Sequence, residues 1–323
     1  MNQALHTWQF IMTKINAGQP VILLYVLESI GSSPGRQGFF MAVSKDGDMQ
    51  GSIGGGIMEH KFVEMAKEQL AKDNVSLDVK KQIHDKSAAA NQSGMICSGE
   101  QTILILPISQ NDSDKIHLLI DSLTSQKNGT IILSNQGFDF INTIPTKDFD
   151  FQFINEKNWI YKEKTGFKNK LFIIGGGHCS LALSELMHSM DFYIQVFDTR
   201  PSLKTMNENK AAQEMHLVDD YSLLQNIIPS GEQHFVVIMT FGYRTDDVAL
   251  RALLDKKFKY LGVLGSKNKM EKLFDEYRKA GIAQKTLAKI HTPIGLQIHS
   301  QTPEEIAVSI AAEIIRTKNS TDT

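Results

Sequence analysis

The sequence predicts an α/β protein in which a mixed α/β amino-terminal unit is followed by a parallel sheet with helices on both faces. Two observations carry that prediction. Residues 21–27 form a continuous apolar run of strand length, and downstream Asp46-Gly47 separates two short strand-like segments as a hairpin turn does. From Leu171 onward strand and helix signals alternate, the pattern of parallel strands joined by crossover helices. A chain of 323 residues has room for about two domains, each with its own core.

Taken in order, the 21–27 run is a buried strand whose carboxyl end points at Gly31-Ser32-Ser33-Pro34-Gly35. Residues 39–44 and 49–53 are the arms of the hairpin. Gly54-Gly55-Gly56 then opens a helix in which Met58, Phe62, Met65, Ala66 and Leu70 recur at helical spacing. A polar stretch, 72–93, leads through Gly94-Met95-Ile96-Cys97-Ser98-Gly99-Glu100 to an apolar strand at 102–108. Residues 1–110 are therefore assigned to the first domain. Residues 111–168, with a helix near 116–123 and strand signals at 130–133 and 159–162, form a connecting region that belongs with it. The second domain, 169–323, alternates strands at 171–174, 193–197, 235–240 and 260–264 with helices at 179–190, 246–256 and 267–280. A last helix, 304–316, has Thr302 as its N-cap and Pro303 at its first position.

Composition excludes several function classes. Thirty-four basic against 36 acidic side chains give a net charge of −2, too balanced for a general phosphate-binding surface, so no nucleic-acid partner is expected. The first ten residues lack the basic start and apolar core of a secretion signal, and no segment is apolar for long enough to span a bilayer. A cytoplasmic location with no membrane partner is the expectation. Cys97 and Cys179 stand far apart without a CxxC partner, which suits a reducing compartment and gives no zinc or iron–sulfur spacing. His178, His291 and His299 likewise have no metal-ligand spacing, so no protein-held metal is expected.

The strongest chemical motif is Gly175-Gly176-Gly177-His178-Cys179-Ser180, because it follows a strand and opens a helix. Gly175 permits the tight turn, Gly177 lets backbone approach a pyrophosphate, and the helix N–H groups, beginning at His178, supply an anion site. Asp198 ends the next strand about 20 residues on, where a carboxylate bonds a ribose 2′-hydroxyl. The second domain is therefore read as Rossmann-like, with NAD or another dinucleotide as ligand and NAD preferred over NADP. The plain alternative is that these glycines only let strand and helix pack closely.

Gly54, Gly55 and Gly56 make a second candidate anion cradle, with Glu59 and His60 in the first helical turn and Arg36 as a cationic partner for a phosphate. A plain turn is the alternative. Cys97, set among glycine, serine and glutamate, is placed as an accessible thiol would be, although a lone cysteine is commonly just a small buried residue. Cys179 is expected to pack inward. Three further loops lie at carboxyl ends of the parallel strands: Asp198-Thr199-Arg200, the 240–246 loop with Tyr243 and Arg244, and Gly265-Ser266-Lys267. Asp246 and Ser266 are expected to cap their helices.

Several of these motifs in order resemble the XdhC/CoxI family of xanthine dehydrogenase accessory factors. The residues that carry the likeness are Ser33-Pro34-Gly35-Arg36, Gly51-Ser52-Ile53-Gly54-Gly55-Gly56 with Glu59, and the 94–99 segment around Cys97. The second half adds the Gly175–His178 turn, Gly262-Val263-Leu264-Gly265-Ser266-Lys267, and Pro293-Ile294-Gly295-Leu296 before Thr302-Pro303-Glu304-Glu305-Ile306-Ala307. The resemblance implies an amino-terminal XdhC/CoxI domain and a Rossmann domain. It implies a dimeric chaperone that binds molybdenum cofactor (molybdopterin) as cargo, assists its sulfuration with a cysteine desulfurase, and hands it to an apo xanthine dehydrogenase-type molybdoenzyme. By position, Cys97 would be the thiol near molybdenum or its sulfur, and Gly54 to Gly56 would lie against the pterin phosphate. The chain departs from the family where a histidine is replaced within Phe241-Gly242-Tyr243-Arg244, which leaves Arg244 as a phosphate ligand. The sequence shows no acid/base pair or nucleophile triad, as suits a carrier rather than a catalyst. Two other readings stay open. One is a nicotinamide-dependent oxidoreductase with Asp198 on the ribose and His178 or Tyr243 near the reacting carbon; the other is a structural partner whose Rossmann domain is empty.

Overall fold

The computed structural model describes residues 2–72, 75–83 and 99–320. The chain divides into two compact units, Met1–Gly166 and Phe167–Thr323.

The first unit begins with helix α1 (Asn2–Asn16) and strands β1 (Val21–Gly31), β2 (Phe40–Ser44) and β3 (Met49–Gly51), then helix α2 (Gly56–Ala71) and strands β4 (Asp78–Ile83) and β5 (Gly99–Ile108). The five strands form an antiparallel sheet in the order β3-β2-β1-β5-β4. Its central strand explains the unbroken apolar run. Val21, Leu23, Tyr25 and Leu27 face one core, while Ile22, Leu24 and Val26 face another, so neither side of β1 meets water from Val21 to Leu27. The second core is closed by α2, which contributes Met58, Phe62, Ala66 and Leu70 at helical spacing.

The first core is closed by α1, by helix α3 (Ser113–Thr124), and by a four-stranded antiparallel sheet. That sheet consists of β6 (Thr130–Ser134), β7 (Gly137–Ile141), β8 (Phe149–Asn155) and β9 (Asn158–Lys164) in the order β7-β6-β9-β8. Ile131, Leu133, Phe138, Phe140, Trp159 and Tyr161 from it share one cluster with Trp8 and Leu23. A buried polar tie joins the two sheets: the hydroxyls of Tyr25 and Tyr161 both donate to Glu163 Oε2, at 2.6 and 2.7 Å. Burial and the adjacent carboxylate push both phenols well above their ordinary value, so each remains a donor.

The second unit runs β10 (Asn169–Ile174), α4 (His178–His188), β11 (Phe192–Asp198), α5 (Lys204–Glu208), β12 (Glu214–Leu217), α6 (Leu224–Ile227), β13 (Gly231–Ile238), α7 (Tyr243–Leu253), β14 (Phe258–Val263), α8 (Lys267–Lys279), α9 (Gln284–Leu287) and α10 (Pro303–Asn319). Its five strands are all parallel, in the order β12-β11-β10-β13-β14. Helices α4 and α10 cover one face through Leu183, Met187, Ile310 and Ile314; α7 and α8 cover the other through Leu250, Leu253, Met270 and Leu273. The chain winds outward from β10 to β12, then returns to β13 on the other side. That reversal places the loops after β10 and β13 side by side, which is where ligands of such sheets bind. Helix α10 starts as the sequence predicts: Pro303 is at its first turn, and Thr302 and Glu305 form a reciprocal capping box.

Candidate functional site

In the first unit the glycine turn and the 33–36 loop come together at one end of β1. Gly54 has φ +125°, and a Cβ there would lie 2.3 Å from the Gly35 nitrogen, so only glycine fits. Gly35 is pinned from the other side, its carbonyl accepting from Gln101 Nε2 at 2.8 Å. Gly99, the last residue of the 94–99 motif, pairs with Gly31 across β1 and β5 and packs against the Ser32 carbonyl. Three motifs separated in sequence thus meet within one patch. Cys97 lies outside the described residues.

The Gly54-Gly55-Gly56 turn is partly satisfied by the protein itself. Glu59 Oε2 accepts from the Ile53 amide at 2.8 Å, the Gly55 amide at 3.0 Å and the Ser52 hydroxyl at 2.7 Å, and the Gly54 amide donates to Ser52 Oγ at 3.0 Å. The carboxylate that the sequence places beside a phosphate therefore occupies the inner amides of the turn. What remains is the outer rim. Among the described residues no side chain caps α2 and a Cβ on Gly55 would meet nothing within 4 Å, and Gly56 and Ile57 are exposed. The residues fit an anionic ligand resting on the α2 N-terminus, with Glu59 behind it bracing the turn. Arg36 is exposed, and its Nη1 donates to the Gly31 carbonyl at 3.1 Å.

In the second unit the three glycines of the β10–α4 turn have three different surroundings. Gly175 has φ +106° and approaches the end of β13 so closely that a Cβ would lie 2.4 Å from the Met239 carbonyl oxygen. Gly176 is buried beneath Met206, and its carbonyl accepts the Thr205 hydroxyl. Gly177, the N-cap of α4, has open space where a Cβ would be. His178 is exposed beside it, and Ser180, buried on the first turn of α4, has a hydroxyl with no hydrogen-bond partner among the described residues.

Asp198 is placed at the end of β11 as expected, but its carboxylate is fully engaged. Oδ1 accepts from the Arg200 amide at 2.8 Å and Arg200 Nε at 2.9 Å; Oδ2 accepts from the Gly176 amide at 2.7 Å and Arg200 Nη2 at 2.7 Å. Burial pushes this carboxyl up, but the donors from Arg200 and Gly176 outweigh it and hold the group below the ordinary carboxylate range. The sequence names Arg200 only as part of a loop; the signal for it is a guanidinium two residues beyond a strand-ending acid.

Asp246 does not cap α7, whose N-cap is Gly242. It is buried instead, accepting from the Thr240 amide at 3.0 Å and from Lys269 Nζ at 2.5 Å, and so ties the β13–α7 loop to α8. A cap would have left the carboxylate at the surface; the Lys269 partner, 23 residues away, offsets the cost of burial. Ser266 does cap α8, accepting from the Lys269 amide at 3.4 Å. Arg244 is exposed on the first turn of α7, Lys267 is exposed and 3.9 Å from Glu271, and Gly265 packs beneath Met270. Cys179 is half-buried against the α4 side of the core, where burial raises its thiol above the ordinary value. The Pro293-Ile294-Gly295-Leu296 motif has a packing explanation: Gly295, at φ +92°, sits against Ser309 and donates its amide to Glu313 at 2.8 Å. Glu313 also accepts the Tyr260 hydroxyl at 2.7 Å.

Among the described residues no group of three or more His, Cys, Asp or Glu side chains is arranged to hold a metal ion. No helix among them is long and apolar enough to cross a membrane.

Comparison with known proteins gives a consistent picture. Residues 15–78 match the XdhC and CoxI family, and residues 171–314 match the XdhC Rossmann domain. The chain is 25% identical over 303 residues to the Escherichia coli uncharacterized protein YqeB, covering 93% of this chain and 44% of that protein. It is 28% identical over 155 residues to a Bacillus subtilis protein described as a probable xanthine dehydrogenase component, covering 47% of this chain and 43% of the relative. The chain thus spans less than half the length of these curated relatives. A crystal structure described as a xanthine dehydrogenase from Bacillus halodurans shares the fold, with a TM-score of 0.68 at 22% identity over 97% of this chain and 95% of that one.

Proposed function

From the chain's membership of the XdhC and CoxI family we propose that it is a maturation factor for a xanthine dehydrogenase-type molybdoenzyme. In this reading it takes up molybdenum cofactor as cargo, supports its sulfuration by a cysteine desulfurase, and delivers it to the apo-enzyme in the cytoplasm, acting as a homodimer. The observation that carries the reading is the meeting of the 33–36 loop, the Gly54–Gly56 turn and Gly99 at one end of the first sheet. Glycines there leave backbone exposed at an uncapped helix start, which suits the phosphate of a pterin, and Cys97 stands two residues before Gly99 in the chain. Binding and shielding, rather than acid/base chemistry, are what such a patch offers.

The second unit would hold a dinucleotide, NAD-like in its general form, at the open Gly177 and the start of α4. An NAD-dependent oxidoreductase has less support, because the acid meant for a free ribose diol is occupied by Arg200. The test is retention. Purified protein incubated with molybdenum cofactor should keep molybdenum and pterin through gel filtration, and Cys97→Ser should lower retention or sulfuration by a purified desulfurase. Retention no better than that of an unrelated protein would overturn the carrier reading.

A further inference from the structure

We propose that Arg200 sets the ligand class of the second unit's glycine turn, so that it holds a nucleotide whose ribose carries a 2′-phosphate in preference to one with a free 2′,3′-diol. This rests on the reading that the turn binds a nucleotide at all. It reverses the preference that Asp198 alone implies.

A ribose diol needs a carboxylate with open lone pairs at the end of β11. Asp198 has none to give. A carboxylate offers about four acceptor sites, and four donors fill them: the amides of Gly176 and Arg200, Arg200 Nε and Arg200 Nη2. The side chain of Asp198 is wholly buried, so no ligand hydroxyl reaches it without displacing that set.

Arg200 is in the opposite state. Its bonds to Asp198 use two of the five guanidinium N–H groups. The side chain remains 37% exposed, and its guanidinium carbon lies 5.0 Å from the centroid of the Phe241 ring, on the loop after β13. A guanidinium held by a buried acid on one edge and an aromatic face on its plane presents its remaining N–H groups in a fixed direction. That arrangement suits a phosphate, which accepts from such a fork in pairs. The rest of the turn agrees. Gly177 is open for a diphosphate, and the buried Ser180 hydroxyl on the same helical turn lacks a partner among the described residues.

The test is calorimetric titration of the full chain with adenosine 2′,5′-bisphosphate and AMP, and with NADPH and NADH. The 2′-phosphorylated member of each pair should bind about ten-fold tighter or more, the scale of a charge-assisted contact. Arg200→Lys, which keeps the charge but loses the fork, should bring the ratio to about three-fold or less. Because Arg200→Ala would leave Asp198 buried and unpaired, the second variant is Asp198→Asn/Arg200→Gln, which is neutral at both positions and should abolish the preference. Equal affinities, or tighter AMP and NADH, would overturn the proposal while leaving the nucleotide reading intact. Binding of none of the four would remove that reading and the proposal with it. A preference unchanged in both variants would show that Arg200 does not set it.

Discussion

Glu59 Oε2 holds the Gly55 amide at 3.0 Å, and the same oxygen takes the Ile53 amide and the Ser52 hydroxyl. One carboxylate oxygen therefore orders a turn that has positive φ at three successive glycines. Glu59→Ala should lower the stability of the protein by about 1–3 kcal/mol, the cost of leaving such donors unmatched. Urea unfolding reads the change, and an unaltered midpoint would mean that the turn is ordered by packing against Gly35 instead.

Gly175 and Gly177 are two residues apart and should respond oppositely to a methyl group. Gly175→Ala places a Cβ 2.4 Å from the Met239 carbonyl at φ +106°, and should destabilise by more than about 1 kcal/mol. Gly177→Ala meets nothing within 4 Å, and should leave the thermal midpoint within experimental error or slightly raised. It should nonetheless weaken nucleotide binding, since the methyl group enters the space left for the ligand. Thermal melts with and without nucleotide separate the two effects.

The Lys269–Asp246 pair gives a third prediction. Asp246 is wholly buried and Lys269 is only 26% exposed, so Lys269→Met strands a charge and should cost about 3 kcal/mol. Substituting both, as Asp246→Asn/Lys269→Met, should recover part of the loss. Strict additivity of the single effects would argue that the two side chains do not interact in solution.

Acid should act through Asp198 and Glu313. Both have folded-state values below their ordinary ones, 3.8 and 4.5: burial raises each, but donors from Arg200 at Asp198, and from Tyr260 and Gly295 at Glu313, outweigh it. A group lowered on folding stabilises fully above its ordinary value, and that contribution disappears as pH falls through the folded value. The midpoint of the wild type should therefore drop steeply below about pH 4.5, and the gap between wild type and Asp198→Asn should narrow over the same range. A gap that stays constant from about pH 7 to pH 3 would contradict the role given to Asp198.

Much of the architecture could be read directly from the sequence, and the reason is visible in particular residues. The run at β1 is apolar on both faces because both faces are buried, and the capping box at Thr302 is a local signal confined to four residues. Strand β4 lies within the stretch that reads as merely polar, because its Asp-Val-Lys-Lys-Gln-Ile pattern belongs to a sheet edge where only Gln82 is buried. Strands β7 and β8 are also edge strands, β7 only five residues long and β8 partly exposed along its length, although Phe138 and Phe140 in the one and Phe149, Phe151 and Phe153 in the other alternate with other residues. The glycine turns were legible as turns. What filled them was not, since Glu59 and Arg200 act through side-chain direction, and Lys269 reaches Asp246 from a different helix. Spacing in a chain reports which backbone is free, not which side chain has already taken it.

The Tyr25–Glu163 tie also bears on how the first unit is made. Its partners are 138 residues apart, and the face of β1 that carries Tyr25 cannot complete the first core until the later strands have emerged. At about 5–20 residues per second, a ribosome leaves that segment without its final neighbours for roughly 7–28 s. During synthesis the nascent strand is thus a sticky surface in need of protection, and expression yield should respond to chaperone supply and growth temperature more strongly than the finished protein's stability would suggest.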